Sequence, residues 1–176
     1  YFFEGERHQS FEEKVIMFLE RLKNEMPFLS DYSFRFDSRN SFPHSTGIAS
    51  SASSMSAIAL CLLTMEEEVK GDKLNPVEFY ERASHIARLG SGSAARSVIG
   101  GWATWGIIEG YKHSSDLFAS GLPFQVHESL SVLGDAILVV SASPKKVSSS
   151  LGHNLMNIHP YATARYRQAA INMQAL

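Results

Sequence analysis

The stretch FPHSTGIASSASSMSAIALCL, residues 42–62, holds seven serine and threonine residues and runs without a break into an apolar segment. Such a composition fits either a flexible linker or a loop that leads into a helix. The apolar residues in its second half and just beyond recur with helical spacing, at Met55, Ile58, Ala59, Leu62 and Leu63. Because a linker shows no such periodicity, the spacing predicts a helix from near Ser50 to about Glu67.

The loop ahead of this helix has the composition of an anion-binding turn. A helix leaves its first four N–H groups unpaired and carries a partial positive charge there, so small residues allow a phosphate to approach. The small and hydroxyl-bearing residues are Gly47, Ala49, Ser50, Ser51 and Ala52. The alternative is that Ser50 or Ser51 simply caps the helix. No Gly-Lys-Ser/Thr follows, so the stretch is not a Walker A loop.

A second stretch of small and hydroxyl-bearing residues is RLGSGSAARSVIGG, residues 88–101. Its glycines match G-x-G-x-x-A, but a predicted helix precedes them where a dinucleotide site requires a strand, and we reject that motif. Ser91 and Ser93 supply hydroxyls, and Arg96 follows three residues after Ser93. A guanidinium can bridge two phosphate oxygens, which makes this turn a candidate cradle for a multiply charged anion. The alternative for Arg96 is a surface ion pair.

A third stretch, KKVSSSLGHN at 145–154, places two lysines before three serines. Exposed lysines after a strand are commonly just solvated, so this stretch decides little by itself. Three such turns in one short chain support anion binding better than any single turn does. We therefore expect residues 47–52, 90–96 and 148–152 to converge on one cleft that holds phosphorylated molecules.

The N-terminal part of the chain predicts one helix and one strand. A helix over 10–26 is expected to begin with a capping box of Ser10 and Glu13 and to be closed by Pro27. Aromatic residues that alternate with polar ones predict a strand with one buried face over 32–37.

The rest of the chain predicts further helices and strands. Asn75 and Gly90 supply start and stop signals for a helix over 76–89. The later expectations are a turn into a strand over 97–108, mostly loop over 111–131, a buried strand over 135–142, and a helix from about His153 that breaks at Pro160. Because helices and strands mix without regular βαβ alternation, the expected fold class is α+β.

Composition narrows the function classes. The 176 residues are 44% hydrophobic, enough for one domain or one domain plus part of a second. With 16 basic against 18 acidic residues, we predict neither a nucleic-acid partner nor a membrane partner. The single cysteine, Cys61, is expected to be a buried core residue, and its lack of a partner favours a reducing, cytoplasmic location. Seven scattered histidines form no i, i+4 pair beside an acid, so no protein-held metal is predicted.

Three motifs, in order along the chain, resemble those of the diphosphomevalonate decarboxylases in the GHMP kinase superfamily. FPHSTGIASSAS resembles the P-x-x-x-G-L-A-S-S-A phosphate loop of that superfamily. RLGSGSAARSVIGGWATW is similar to the decarboxylase segment R-x-G-S-G-S-A-C-R-S-x-x-G-G, with alanine at position 95. ILVVSASPKKVSSSLGHN resembles the third segment, a strand leading into K-x-V-S-S-x-x-G-M, with His153 in place of methionine.

The resemblance implies a fold and a reaction. The fold is the two-domain GHMP kinase-like fold, with residues 1–133 in the N-terminal ATP and substrate domain and residues 134–176 beginning a ferredoxin-like C-terminal domain. The reaction uses ATP and Mg²⁺ to phosphorylate the 3-hydroxyl of mevalonate 5-diphosphate. Loss of phosphate and CO₂ then gives isopentenyl diphosphate.

The resemblance also implies roles for individual residues. The ATP phosphates would be held by Gly47, Ala49, Ser50, Ser51 and Ala52. The diphosphate and carboxylate of the substrate would be held by Ser91, Gly92, Ser93 and Arg96, with Ser148 and Ser149 touching the diphosphate from the other side. Arg96 is the expected catalytic residue, because it would position the group that leaves as CO₂.

Two family segments have no counterpart in the chain: the K-Y-W-G-K segment and the F-D-A-G-x-N-A segment with the catalytic aspartate. We therefore expect an internal fragment, truncated at both ends and inactive by itself. Two alternatives stay open, a mevalonate or phosphomevalonate kinase and a non-catalytic anion-binding module. A homodimer also stays open.

Overall fold

A computed structural model of the chain describes residues 1–42, 48–122, 124–138 and 149–175. Three short strands form a small sheet: β1 (Phe2–Phe3), β2 (Glu6–Arg7) and β3 (Asp37–Ser38). Strand β1 lies in the middle, antiparallel to β2 and parallel to β3. A parallel pair requires a long connection, and here that connection contains the first helix.

Helix α1 (Gln9–Leu22) is amphipathic as its spacing predicts, but its start differs from the prediction. The N-cap is His8, whose Nδ1 accepts a hydrogen bond from the Phe11 N–H at 3.3 Å. The predicted capping box is wrong, because Ser10 and Glu13 already lie inside the helix. An imidazole nitrogen can accept as a serine oxygen does, and histidine is outside the usual set of capping residues.

The other end of α1 also differs from the prediction. The helix ends at Leu22, and Pro27 begins a separate 3-10 helix (Pro27–Asp31) instead of closing α1. Proline suits the first position of a helix because the missing N–H would have no partner there. Proline at this point therefore starts a second short element.

The predicted alternation holds at Phe34 and Phe36, whereas Tyr32 is exposed, and no regular strand forms ahead of β3. Phe34 and Phe36 are half-buried against the core and stack with their ring centroids 5.9 Å apart. The segment joins the sheet at its end, where the Phe2 N–H of β1 donates to the Phe36 carbonyl at 2.8 Å. The alternation therefore identified the buried face, but the regular strand begins later than predicted.

Helices α2 (Ser50–Lys70) and α3 (Pro76–Gly90) pack against each other and confirm both helix predictions. Helix α2 runs slightly further than expected and ends at Gly71, which adopts the left-handed conformation with φ 69°. Asn75 caps α3, because its side-chain oxygen accepts from the Glu78 N–H at 3.0 Å.

Apolar side chains from α1, the 3-10 helix, α2 and α3 form the core. The largest of those fully buried are Phe18, Leu22, Met26, Met55, Leu62, Leu63 and Ile86. Glu66 of α2 is only 1% exposed and lies among them. Its carboxylate meets the Lys70 Nζ at 2.7 Å and the Arg82 Nη2 at 2.7 Å, and the second contact is an ion pair without hydrogen-bond geometry. This pairing ties α2 to α3.

Two residues of the core helices differ from the predictions because of the face of the helix on which they lie or the helix that they meet. Cys61 is exposed, not buried, because the inward face of α2 is formed by the neighbouring positions Ile58, Ala59, Leu62 and Leu63. Gly90 is the last residue of α3 and has no left-handed conformation. A Cβ at Gly90 would lie 2.7 Å from the Met55 Sδ, so this glycine serves the close approach of two helices.

A short helix and a hairpin follow the core helices. Helix α4 (Ala94–Ser97) packs against α2 and α3, and strands β4 (Ala103–Trp105) and β5 (Ala119–Gly121) pair antiparallel. The strand expected after the glycine-rich turn is therefore confirmed at β4. Two elements interrupt the segment predicted as mostly loop over 111–131: strand β5 and a further short helix, α5 (Glu128–Ser131).

The last part of the described chain is mostly exposed. The buried strand predicted over 135–142 is wrong for its described part: residues 135–138 form no regular element, and Leu138 is 89% exposed. Helix α6 (Ser149–Met156) begins four residues before the expected start near His153, so residues 149–152 of the third predicted turn are helical. Helix α7 (Ala162–Gln174) follows, and the predicted break at Pro160 is confirmed. None of the helices in the described ranges has the length and apolarity needed to cross a bilayer.

Candidate functional site

The first turn of α2 is the first part of the site. Its N-cap is Ala49, which has the left-handed φ of 57° and no side chain able to cap. Neither Ser50 nor Ser51 is the N-cap residue, so ordinary capping does not account for this turn. Within the described residues, no hydrogen bond is made to the N–H or hydroxyl of Ser51. An L-residue in this conformation costs about 1 to 2 kcal/mol, so the turn is held by its surroundings.

The second turn joins α3 to α4. Ser91 follows the last residue of α3, and its carbonyl accepts from the Ala94 N–H at 2.8 Å. Gly92, Ser93 and Arg96 are exposed along the outer side of the turn. The Arg96 guanidinium makes no ion pair with any of the residues described, so the surface-ion-pair alternative finds no support. An uncompensated cation beside two hydroxyls is suited to holding an anion.

Neighbouring elements hold the second turn in place. The Arg21 Nη1 of α1 donates to the Leu89 carbonyl at 2.9 Å, just before the turn begins. On the other side, the ring of Trp105 lies 3.5 Å from where a Cβ of Gly92 would be. The Trp105 Nε1 donates to the Asp116 carbonyl at 3.1 Å, which fixes the ring. The ring of Trp105 therefore forms one wall of the second turn.

The structure brings the first two predicted turns together. Met55 of α2 lies against Gly90, the residue directly before the second turn. Ser51 precedes Met55 by four positions and therefore lies on the same face of α2, about 6 Å nearer its N-terminus. Helix α2 also packs directly against α4, which carries Arg96. The start of α2 therefore lies near the turn that leads into Arg96.

The third predicted turn is not placed beside the other two. Gly47 and Ser148 lie outside the described residues, as does the side chain of Ser149, whose backbone begins α6. In the described part of the chain, α6 forms no extensive packing contact with α2, α3 or α4. Convergence of all three turns thus stays a prediction.

A cavity of about 320 Å³ lies elsewhere, between the first turns of α3 and strand β5. Its walls are largely apolar, with Val77, Tyr80, Val98 and Ile99 among them and Glu81 as an acidic member. None of the predicted site residues lines it. Among the described residues, no group of three or more His, Cys, Asp and Glu side chains could hold a metal ion.

Sequence reasoning missed the residues that support the second turn. Arg21 looks like an ordinary charged residue of an amphipathic helix, and nothing in its local pattern links it to residue 89. Ser84 had a usable signal, since it is a polar residue among Ala83, Ile86 and Ala87 on the buried face of α3. A fully buried hydroxyl has to find hydrogen-bond partners, and those of Ser84 lie on α4 and β5.

The described elements define an α+β chain in which α2 begins at a left-handed alanine and α4 carries an exposed arginine. Residues 1–117 match the family described as diphosphomevalonate decarboxylase-like N-terminal domain, and the chain belongs to that family. The resemblance recognised from the three motifs is thereby confirmed.

Individual relatives agree with the family. The chain is 35% identical over 137 residues to the diphosphomevalonate decarboxylase of Gibberella zeae, covering 76% of this chain and 32% of that protein. The diphosphomevalonate decarboxylase of Rattus norvegicus is 34% identical over 127 residues, covering 72% of this chain and 28% of that protein. The chain thus spans about a third of the length of the curated relatives it matches.

A solved structure confirms the fold. The crystal structure of a mevalonate diphosphate decarboxylase from Legionella pneumophila superposes with a TM-score of 0.64 at 28% identity. The alignment covers 94% of this chain and 47% of that chain. The GHMP kinase-like α+β prediction is therefore confirmed.

Proposed function

We propose that the protein carrying this chain catalyses the ATP-dependent decarboxylation of mevalonate 5-diphosphate to isopentenyl diphosphate. This step belongs to the mevalonate pathway of isoprenoid biosynthesis. Membership of the decarboxylase-like family supports the reaction class. The single structural observation that carries the proposal is the unpaired Arg96, held on a braced turn beside the N-terminus of α2.

The first turn of α2 is the proposed place of the ATP phosphates. Ala49, Ser50, Ser51 and Ala52 allow close approach of an anion to the helix N-terminus, and Gly47 is proposed to belong to the same loop. Bound there, ATP with Mg²⁺ would supply the phosphoryl group. Magnesium commonly keeps phosphate and water oxygens as its ligands, which suits a described region without an acidic cluster. These residues bind and orient, which is most of what phosphoryl transfer requires of a protein.

The second turn is the proposed place of the substrate. Ser91, Gly92 and Ser93 would donate hydrogen bonds to the diphosphate and carboxylate, with Ser148 and Ser149 proposed on the far side. Arg96 would hold the carboxylate, so that the carbon–carbon bond to be broken keeps one orientation. The residue that moves the proton of the 3-hydroxyl is not assigned to this chain, because the aspartate segment has no counterpart here.

Two further proposals concern organisation and location. We place the boundary between the two domains at 133/134, which is supported by residues 132–138, because they belong to no helix or strand. We place the protein in the cytoplasm, which is supported by a free, exposed Cys61 that suits a reducing compartment.

The test is turnover by the complete protein with ATP and mevalonate 5-diphosphate. We expect ADP and isopentenyl diphosphate in equal amounts, measured by coupled ADP release and mass spectrometry. Arg96→Ala should lower kcat/KM about a hundredfold or more, on the order of 3 kcal/mol of transition-state stabilisation. Arg7→Ala is the matched control, because Arg7 is an exposed arginine paired with Glu12, and it should change the rate less than about threefold.

Other outcomes would reassign the protein. Turnover of mevalonate or phosphomevalonate without decarboxylation would identify a sibling kinase. Binding of inorganic diphosphate without turnover of any of these alcohols would identify a non-catalytic binding module. An Arg96→Ala rate within threefold of wild type would remove Arg96 from the site.

A further inference from the structure

Ser84 is a buried hydroxyl that joins three elements. It lies on α3 with 0% of its surface exposed. Its Oγ donates to the Ala95 carbonyl of α4 at 2.7 Å and accepts from the Ala119 N–H of β5 at 2.7 Å. Both bonds are short and shielded from water, so the hydroxyl fixes α4 and β5 relative to α3.

The bond to Ala95 acts directly on the peptide that carries Arg96. The carbonyl of Ala95 and the N–H of Arg96 belong to one planar peptide unit. Ser84 holds the carbonyl side of that plane, and the Ser93 carbonyl accepts from the Arg96 N–H at 3.3 Å on the other side. With both sides held, the direction in which the Cα of Arg96 presents its side chain is fixed.

The bond to Ala119 acts on the same turn by a second route. Ala119 is paired with Trp105 across the hairpin of β4 and β5. The ring of Trp105 lies against Gly92, within the turn that carries the two serines. The Ser84 hydroxyl therefore supports the turn in two ways, through α4 and through the hairpin.

We propose that Ser84 is a positioning residue, which acts through Arg96 by fixing the peptide between residues 95 and 96. The inference rests on the proposed function for the consequence in catalysis, and on the hydrogen bonds alone for the positioning. Removal of the hydroxyl leaves a carbonyl and an N–H unpaired in the core and lets α4 shift. A shift of about 1 Å in a substrate-holding group is enough to lower a rate about a hundredfold.

The test is a double-mutant cycle in the complete protein with Ser84→Ala and Arg96→Ala. We expect Ser84→Ala to lower kcat/KM for mevalonate 5-diphosphate about tenfold or more, and to have little further effect when Arg96 is already alanine. The control is Val15→Ala, a buried truncation in α1, which reports the effect of lost stability alone. If Ser84→Ala does not fold, Ser84→Cys takes its place in the cycle, because a thiol is a weaker hydrogen-bonding group of similar size.

A second readout is independent of activity. Hydrogen exchange of residues 94–98 and 119–121 should be faster in Ser84→Ala and unchanged in Val15→Ala. A Ser84→Ala rate equal to that of Val15→Ala, or a full effect that persists beside Arg96→Ala, overturns the inference and leaves the proposed function intact. If Arg96→Ala is itself harmless, the proposed site fails instead. In that case hydrogen exchange alone tests the inference. Faster exchange of residues 94–98 and 119–121 in Ser84→Ala supports a positioning role of Ser84 for the turn, and unchanged exchange overturns that role.

Discussion

Two regions of the molecule contain helices with comparable apolar spacing and opposite burial. In α2, the side chains of Ile58 and Leu62 lie in the core, whereas in α6 the side chains of Leu151 and Leu155 are more than half exposed. Both pairs are spaced four residues apart, so their sequences predict the same kind of apolar face. The difference teaches that periodicity specifies which side of a helix is apolar, and that packing partners decide whether this side is buried.

Two of the three turns proposed to hold anions differ in the same way. The turn over 90–96 is braced by α1, α2, α3 and the hairpin. Helix α6, which contains residues 149–152 of the third predicted turn, forms no extensive packing contact with α2, α3 or α4 in the described part of the chain. A site that must hold a ligand in one geometry needs rigid support, and the packed region provides it.

A matched pair of leucine truncations in the 176-residue chain should give the largest change in stability and so tests this comparison most strongly. Leu62 is 2% exposed and Leu155 is 54% exposed. We expect Leu62→Ala to lower the free energy of unfolding by about 2 to 5 kcal/mol, because it leaves a cavity. Leu155→Ala should change it by less than about 0.5 kcal/mol. Urea unfolding followed by circular dichroism measures both, and equal losses would show that α6 is as well packed as α2.

Two glycine substitutions should change stability by smaller amounts than the leucine truncations, and in opposite directions. A Cβ at Gly90 would lie 2.7 Å from the Met55 Sδ, whereas a Cβ at Gly152 of α6 would meet nothing within 4 Å. We expect Gly90→Ala to destabilise the chain by about 1 to 3 kcal/mol through overpacking. Gly152→Ala should favour α6 locally by up to about 1 kcal/mol. Thermal unfolding and helical content distinguish the two, and a harmless Gly90→Ala would break the argument that α2 and α3 meet closely.

The smallest expected effect tests whether an ion pair on the surface of the packed region adds to the stability that the buried core provides. The Arg7 Nε donates to the Glu12 Oε2 at 3.0 Å, and this bond is the main cause that lowers the pKa of Glu12 to about 2 from 4.5. Because the folded pKa is the lower one, the contribution is complete above pH 4.5 and is lost as pH falls toward 2.

Arg7→Ala should therefore be slightly less stable than wild type at pH 7, with the difference vanishing near pH 2. Unfolding curves at several pH values measure this difference. Because the pair is exposed, 1 M salt should weaken the difference. A difference that persists at pH 2 would assign the effect to packing of the Arg7 side chain.

Several features of the fold were predictable because their causes are local. The helical spacing in α2, the Asn75 cap of α3 and the break at Pro160 each depend on residues within a few positions of one another. The cap of α1 was not predictable in this way, because His8 is outside the usual set of capping residues. The buried strand predicted at residues 135–138 was wrong, because an apolar run indicates a tendency to be buried but does not specify which element would cover it.

The candidate site likewise has features that the sequence predicts and features that it does not. The small residues and hydroxyls of the two turns and the cation of Arg96 are visible in the sequence, and they carry the resemblance to the decarboxylase family. The purpose of Gly90 was misjudged, because a stop signal and a close helix contact use the same residue. The left-handed Ala49 could not be predicted, since alanine does not favour that conformation.

By itself, the sequence determined the helices, their apolar faces, the turns rich in small residues and the family. These properties depend on local spacing and on residue types that the chain carries in order. Tertiary structure alone decided that Met55 meets Gly90, that Cys61 faces outward and that Ser84 holds the peptide of Arg96. Each of these depends on which surfaces meet in space, because close packing and buried hydrogen bonds join residues that are far apart in the chain.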